Sequence, residues 1–159
     1  MKPTFIFDAD GVIISGKIFS KHLEDDFGIT GEQTSEFFTG VFNDCLEGRA
    51  DLKKEVEPFL SKWGWDKGVE AFLSYWFEAE NVIDDRLIAL IQKLRAYGVK
   101  CYVATNQENH RTNFMRKQMR FDEYFDGVYS SADLGSKKPN AVFYQKLIEN
   151  INDPETSNM

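Results

Sequence analysis

The chain has 159 residues, room for one domain with a modest insertion. Apolar residues make up 42% and charged ones 28%, the proportions of a soluble globular protein. A net charge of −7 argues against nucleic acid or an anionic membrane as partner, since either calls for a basic face, while a local cation cluster still admits a small anionic substrate. No apolar run approaches membrane-spanning length, and Met1-Lys2-Pro3 leads directly into an apolar stretch, so no signal peptide is expected. Cys45 and Cys101 are the only cysteines; they read as reduced core thiols of a cytoplasmic protein.

The first element is a short strand, Thr4-Phe5-Ile6-Phe7, running into Asp8-Ala9-Asp10-Gly11-Val12. Side chains alternate along a strand, so Asp8 and Asp10 leave its carboxyl end pointing the same way. Two acids at the mouth of a parallel sheet suit a hard divalent cation and phosphoryl chemistry. One can be a nucleophile while the other handles protons. Taken alone, the same residues would also serve as a solvated turn. Gly11 permits close backbone approach, so its amide is expected to face phosphate oxygens.

From 14 to 82 no strand signal appears. Helical spacing predicts helices over 32–46 and 52–63, a turn at Trp63-Gly64-Trp65 and another helix from 69 to 77. This block reads as a cap of roughly four helices over 14–82, inserted into a core formed by 1–13 and 83–159. Its aromatic set Phe72, Tyr75, Trp76 and Phe77 is read as cap core rather than a ligand cage.

The core resumes at Asp84, an N-cap for a helix carrying Leu87, Leu90, Ile91 and Leu94, which Gly98 ends. A strand over 99–104 delivers Thr105 and Asn106, and a helix over 107–119 follows. A short strand at 127–130 and a helix over 140–151 complete the chain, with Gly135-Ser136-Lys137-Lys138-Pro139 between them. Alternating strands and helices imply an α/β protein, a Rossmann-like parallel sheet with right-handed crossovers. Ligands of such sheets sit outside the carboxyl ends of the strands, where all three motifs fall. Alone, Thr105 and Asn106 would serve as a helix cap and Lys138 as a solvated loop lysine.

Asp-x-Asp-Gly-Val, then Thr-Asn after a strand, then Lys-Pro, in that order, resembles the haloacid dehalogenase-like superfamily of phosphatases and phosphomutases, over nearly the whole chain. The likeness is greatest to sugar-phosphate phosphatases with a small helical cap. It implies that Asp8 attacks phosphorus to form an aspartyl-phosphate. Asp10 would protonate the leaving oxygen and then help activate water. Thr105 would bind phosphate through its hydroxyl beside the Asn106 backbone, and Lys138 rather than Lys137 would neutralise Asp8 and the phosphoryl group. Asp8 and Asp10 would hold Mg²⁺. Arg49, in the turn Glu47-Gly48-Arg49, resembles cap residues aimed at substrate, with a surface role equally open. Dehalogenases of this pattern lack an acid at the position of Asp10, which favours phosphate esters.

A fourth motif of the family, a strand ending in acids that completes the metal site, has no counterpart in 152–158. The resemblance therefore implies a chain truncated before its last metal ligands, a weak Mg²⁺ site, and an uncovered edge along residues 5–7 open to self-association. The reading is a cytoplasmic Mg²⁺-dependent phosphatase of small phosphorylated metabolites, sugar phosphates foremost, impaired by truncation. A phosphomutase, or a remnant acting as a binding protein, are the alternatives.

Overall fold

β1 (Thr4–Phe7) is a four-residue strand rich in Phe and Ile that stops where Asp8 begins. It opens a computed structural model that describes residues 3–152. Five helices follow: α1 (Phe19–Phe27), α2 (Gly31–Thr39), α3 (Phe42–Leu46), α4 (Leu52–Leu60) and α5 (Val69–Ala79). Then come α6 (Asp85–Ala96), β2 (Lys100–Thr105), α7 (Asn109–Lys117), α8 (Phe121–Tyr124), β3 (Gly127–Ser130), α9 (Ser131–Leu134) and α10 (Ala141–Asn152). The strands form one parallel sheet in the order β1-β2-β3, with Phe5 beside Cys101 and Val103 beside Val128. The protein is thus α/β, as its alternating elements predict.

Two helical expectations change. The 32–46 stretch breaks at Gly40, whose backbone (φ −100°, ψ −117°) ends α2 before α3 begins. A Cβ there would lie 2.6 Å from the Glu36 carbonyl oxygen, so the break needs glycine, while Phe37, Phe38, Val41 and Phe42 continue the apolar spacing across it. Helix α1 escapes the reading because Ile18 at its start supplies no side-chain cap; only Gly28 (φ +69°) marks its end. Asp84 does cap α6, accepting from the amides of Arg86 and Leu87.

The buried apolar residues divide by region. Phe19, Phe37, Phe72, Trp76 and Phe77 belong to one cluster within α1 to α5, where Phe19 stacks on Trp76 with ring centroids 4.6 Å apart. The aromatic set is therefore packing material. A second cluster, including Ala9, Ile91, Val103, Met115 and Phe121, lines one face of the sheet. On the other face Ala104, Leu134, Phe143 and Leu147 pack together. The two crossings between helical block and sheet run side by side: Ser15 N–H donates to Val82 O at 2.8 Å and Asp84 N–H to Ile13 O at 2.9 Å.

β2 is central and buried from Cys101 to Thr105, whereas β1 is an edge strand with Phe5 and Ile6 each 43% exposed. Among the described residues nothing pairs with its outer edge. Residues 153–159, where most of the fourth-motif expectation falls, lie outside the described residues.

Candidate active site

The turn after β1 is wound around one carbonyl. Ala9 O accepts from the amides of Val12, Ile13 and Ile14, at 3.2, 2.9 and 2.9 Å. Gly11 turns the chain at φ +76°, and its own N–H donates to Ile14 O at 2.9 Å. That amide closes the turn, so Gly11 serves geometry here and does not offer its N–H outward to an anion. Asp8 Oδ1 accepts from the Ala9 amide at 2.8 Å, which fixes the carboxylate's plane.

Lys138 reaches this carboxylate. Its Nζ lies 2.7 Å from Asp8 Oδ2 and donates to Ala104 O at 3.0 Å, so the ammonium sits between β1 and β2. The Asn106 carboxamide brackets the Lys138 main chain: Oδ1 accepts from Lys138 N–H at 2.8 Å and Nδ2 donates to Lys138 O at 3.1 Å. Asn106 is thereby a holder of the lysine loop through its side chain, a use the sequence does not disclose. Lys137 points elsewhere, onto Asn43 of α3. Thr105 ends β2, buried and opposite Ser130.

Asp10 joins the group from the other side. Its residue surface is open to solvent, yet protein packed around the carboxyl takes part of its hydration away. That loss of water raises its pKa, with the charge of Asp8 adding to the rise and Arg111, Gln107 and Lys138 opposing it. Gln107 Nε2 donates to Asp10 Oδ2 at 2.6 Å. Beyond it lies Arg111, only 2% exposed, whose guanidinium donates to Phe77 O at 2.8 Å and lies 3.6 Å from Glu80 Oε2. Among the described residues, Arg111 Nε is buried without a partner. Glu80 in turn accepts from the Phe19 amide and the Trp76 indole, and burial raises its pKa. Sequence reasoning missed Gln107 and Glu80; Arg111 follows the Thr-Asn motif and could by that place approach the site, but a helix-surface role is the reading the sequence favours. Of the two missed, Gln107 carried a signal, its place directly after Thr105-Asn106.

A small cleft of about 120 Å³ opens beside Asp10, lined by Gly11, Ile14, Ser15, Ile18 and Glu80 among others. Arg49 does not join the cluster: it is engaged by Asp44 and Glu47 on its own side of the helical block. His110 contacts Asp51 at 3.0 Å.

Among the described residues no group of three His, Cys, Asp or Glu side chains gathers as a metal cage. The oxygen-only pair Asp8 and Asp10 fits Mg²⁺ of the kind held by one or two carboxylates, waters and a substrate phosphate.

A family model for haloacid dehalogenase-like hydrolases matches residues 2–158. The chain belongs to this family. A sesquiterpene phosphatase, astK of Aspergillus oryzae, is 31% identical over 68 residues, a stretch covering 43% of this chain and 35% of that relative. An HAD family enzyme from Bacteroides thetaiotaomicron, bt-2542, solved with magnesium and inorganic phosphate, superposes with a TM-score of 0.75 at 16% identity, over 98% of this chain and 82% of its own. An HAD-like hydrolase from Porphyromonas gingivalis gives 0.71 at 20% identity, over 98% and 80%. At these identities the structural likeness speaks for the haloacid dehalogenase-like fold. No described helix is long and apolar enough to cross a membrane.

Proposed function

We propose that this protein is a phosphatase of small phosphorylated metabolites, with sugar phosphates the first class to test. The observation that carries the reading is Lys138 Nζ at 2.7 Å from Asp8 Oδ2, at the carboxyl ends of two parallel strands with Asp10 alongside. A bare carboxylate repels a phosphate dianion, and an ammonium held between the two reduces that repulsion.

Asp8 attacks phosphorus, the bond from phosphorus to the ester oxygen breaks, and Asp10 gives that oxygen its proton. Water then attacks the aspartyl-phosphate while Asp10 takes a proton back. An upward-shifted Asp10 suits this work, since more of it is protonated as neutral pH is approached. Asp8 and the Asp10 main chain would hold Mg²⁺, which supplies further charge neutralisation at the phosphate. The family neighbour crystallised with magnesium and phosphate supports that choice of ion. Residues 14–82 act as a cap over the site, and the 120 Å³ cleft beside Asp10 favours a compact leaving group. Free cysteines support a cytoplasmic setting, and the open edge of β1 supports self-association.

The test is phosphate release, with and without Mg²⁺, from p-nitrophenyl phosphate, a sugar-phosphate panel and a terpenyl phosphate. Asp8→Asn should abolish turnover, and Asp10→Asn should lower it by about 10²- to 10⁴-fold. Phosphoryl transfer to a second sugar hydroxyl in place of release would make the protein a mutase. Turnover near the wild-type rate in Asp8→Asn would exclude the covalent route.

A further inference from the structure

The mechanism above leaves Gln107 unused, although it is firmly anchored beside the reacting groups. It is 8% exposed. Its N–H donates to Ser131 Oγ at 3.0 Å, and its carbonyl accepts from Ala132 N–H at 3.2 Å and from Ser131 Oγ at 3.3 Å. Ser131 is fully buried at the start of α9, which Ser130 and Asp133 close with a capping box. Gln107 therefore stands on a fixed helix start rather than on a free loop. Its one reach into the cleft is the 2.6 Å bond from Nε2 to Asp10 Oδ2. With Asp10 ionised, the reverse orientation of the amide would set two oxygens against each other at that separation.

We propose that Gln107 is a positioning residue that holds the Asp10 carboxyl turned so that Oδ1 faces the leaving oxygen of the ester. The inference rests on the phosphatase reading. An amide N–H only donates, so the oxygen accepting from it is the poorer seat for a proton. Protonated Asp10 then carries its hydrogen on Oδ1, which no other hydrogen bond engages among the described residues. The proton leaves Oδ1 for the ester oxygen as the phosphorus–oxygen bond breaks, and one returns to Oδ1 from the attacking water. The bond to Oδ2 persists in both states, so the carboxyl need not rotate between the two half-reactions. A well-held acid gains most where the departing oxygen is most basic.

The test uses the whole chain with Gln107→Met, which keeps length and apolar bulk but removes the donor, and Gln107→Glu, which replaces the donor with an acid. kcat/KM is measured for p-nitrophenyl, phenyl and alkyl phosphates. Gln107→Met should lose less than about threefold on p-nitrophenyl phosphate and about 30-fold or more on the alkyl ester, with Gln107→Glu at least as steep. In parallel, the Gln107 side-chain amide resonances are followed by NMR and should move in Asp10→Asn. Equal losses across the three esters, no loss, or an unmoved amide would each overturn the role of Gln107 while an active wild type keeps the phosphatase reading. A wild type silent on every ester would overturn the phosphatase reading, and this role with it.

Discussion

Gly48 and Gly64 share a backbone conformation but not a neighbourhood, which turns them into a controlled pair. Their φ angles are +71° and +79°, and at either site an alanine accepts left-handed strain of about 1–2 kcal/mol. Around Gly64 a Cβ would meet nothing within 4 Å. At Gly48 it would lie 2.6 Å from the Ala132 carbonyl oxygen and 3.4 Å from the Ala132 Cα. Ala132 belongs to α9, so the turn after α3 rests directly on the helix that anchors Gln107. Backbone meets backbone there, and no side-chain rotamer can relieve the overlap; the helical block must retreat from α9 by ~1 Å to restore van der Waals contact. Overpacking of this kind costs about 1–3 kcal/mol beyond the strain. Gly64→Ala should therefore lower Tm by about 2–8 °C and Gly48→Ala by roughly twice that, at about 2–4 °C per kcal/mol for a chain of this size. Gly48→Ala alone should also raise KM for phosphate esters, because a strained α9 is bonded through Ser131 to Gln107 and through it to Asp10. Thermal unfolding by circular dichroism and steady-state kinetics provide both readings. Equal Tm losses with equal KM values would refute a close contact between block and α9.

Three other outcomes follow from particular contacts. Lys138→Ala should weaken vanadate binding strongly, by about tenfold or more, while Lys137→Ala, which loses its contact with Asn43, should leave it nearly unchanged; calorimetry that ranks the two in the opposite order would contradict the geometry. Asp126 accepts from Cys101 N–H, Arg95 and Lys100, and these contacts outweigh its burial and hold its pKa below the ordinary carboxylate value. A depressed carboxylate contributes stability above its unfolded pKa and loses it as pH falls through the folded value. Asp126→Asn should thus cost about 2 kcal/mol at pH 7, and urea titrations should show the gap to wild type closing below about pH 4; a gap constant down to pH 3 would exclude the ionic contribution. Finally, Ile6→Lys on the exposed β1 should reduce any concentration-dependent growth in mass by light scattering, and a wild type monomeric at every concentration would remove the edge as an association surface.

Local periodicity carried much of this protein's reading. Asp84 and Gly98 bracketed α6 by their own chemistry, and β3 matches the predicted 127–130 strand. These features depend on residues within a few positions of each other, and such relations are written in the order of the chain. Other features depend on partners far away along it. Gln107 meets Asp10 across 97 positions, Lys138 meets Ala104 across 34, and Arg111 meets Phe77 across 34, so no window of sequence contains them. Whether Lys137 or Lys138 turns toward Asp8 was decided by Asn106 gripping the loop from β2. Gly11 was expected to present an amide and instead spends it on Ile14, because the chain must turn back toward the helical block at that point. Hydrophobic spacing ran unbroken through Gly40, yet the backbone leaves the helix there in a bend that has no room for a Cβ beside the Glu36 carbonyl. Residue types named the chemistry because reactive groups are few and their spacing on a strand is local; which group touches which was left to long-range packing, where each side chain's direction depends on what the fold has already placed opposite it.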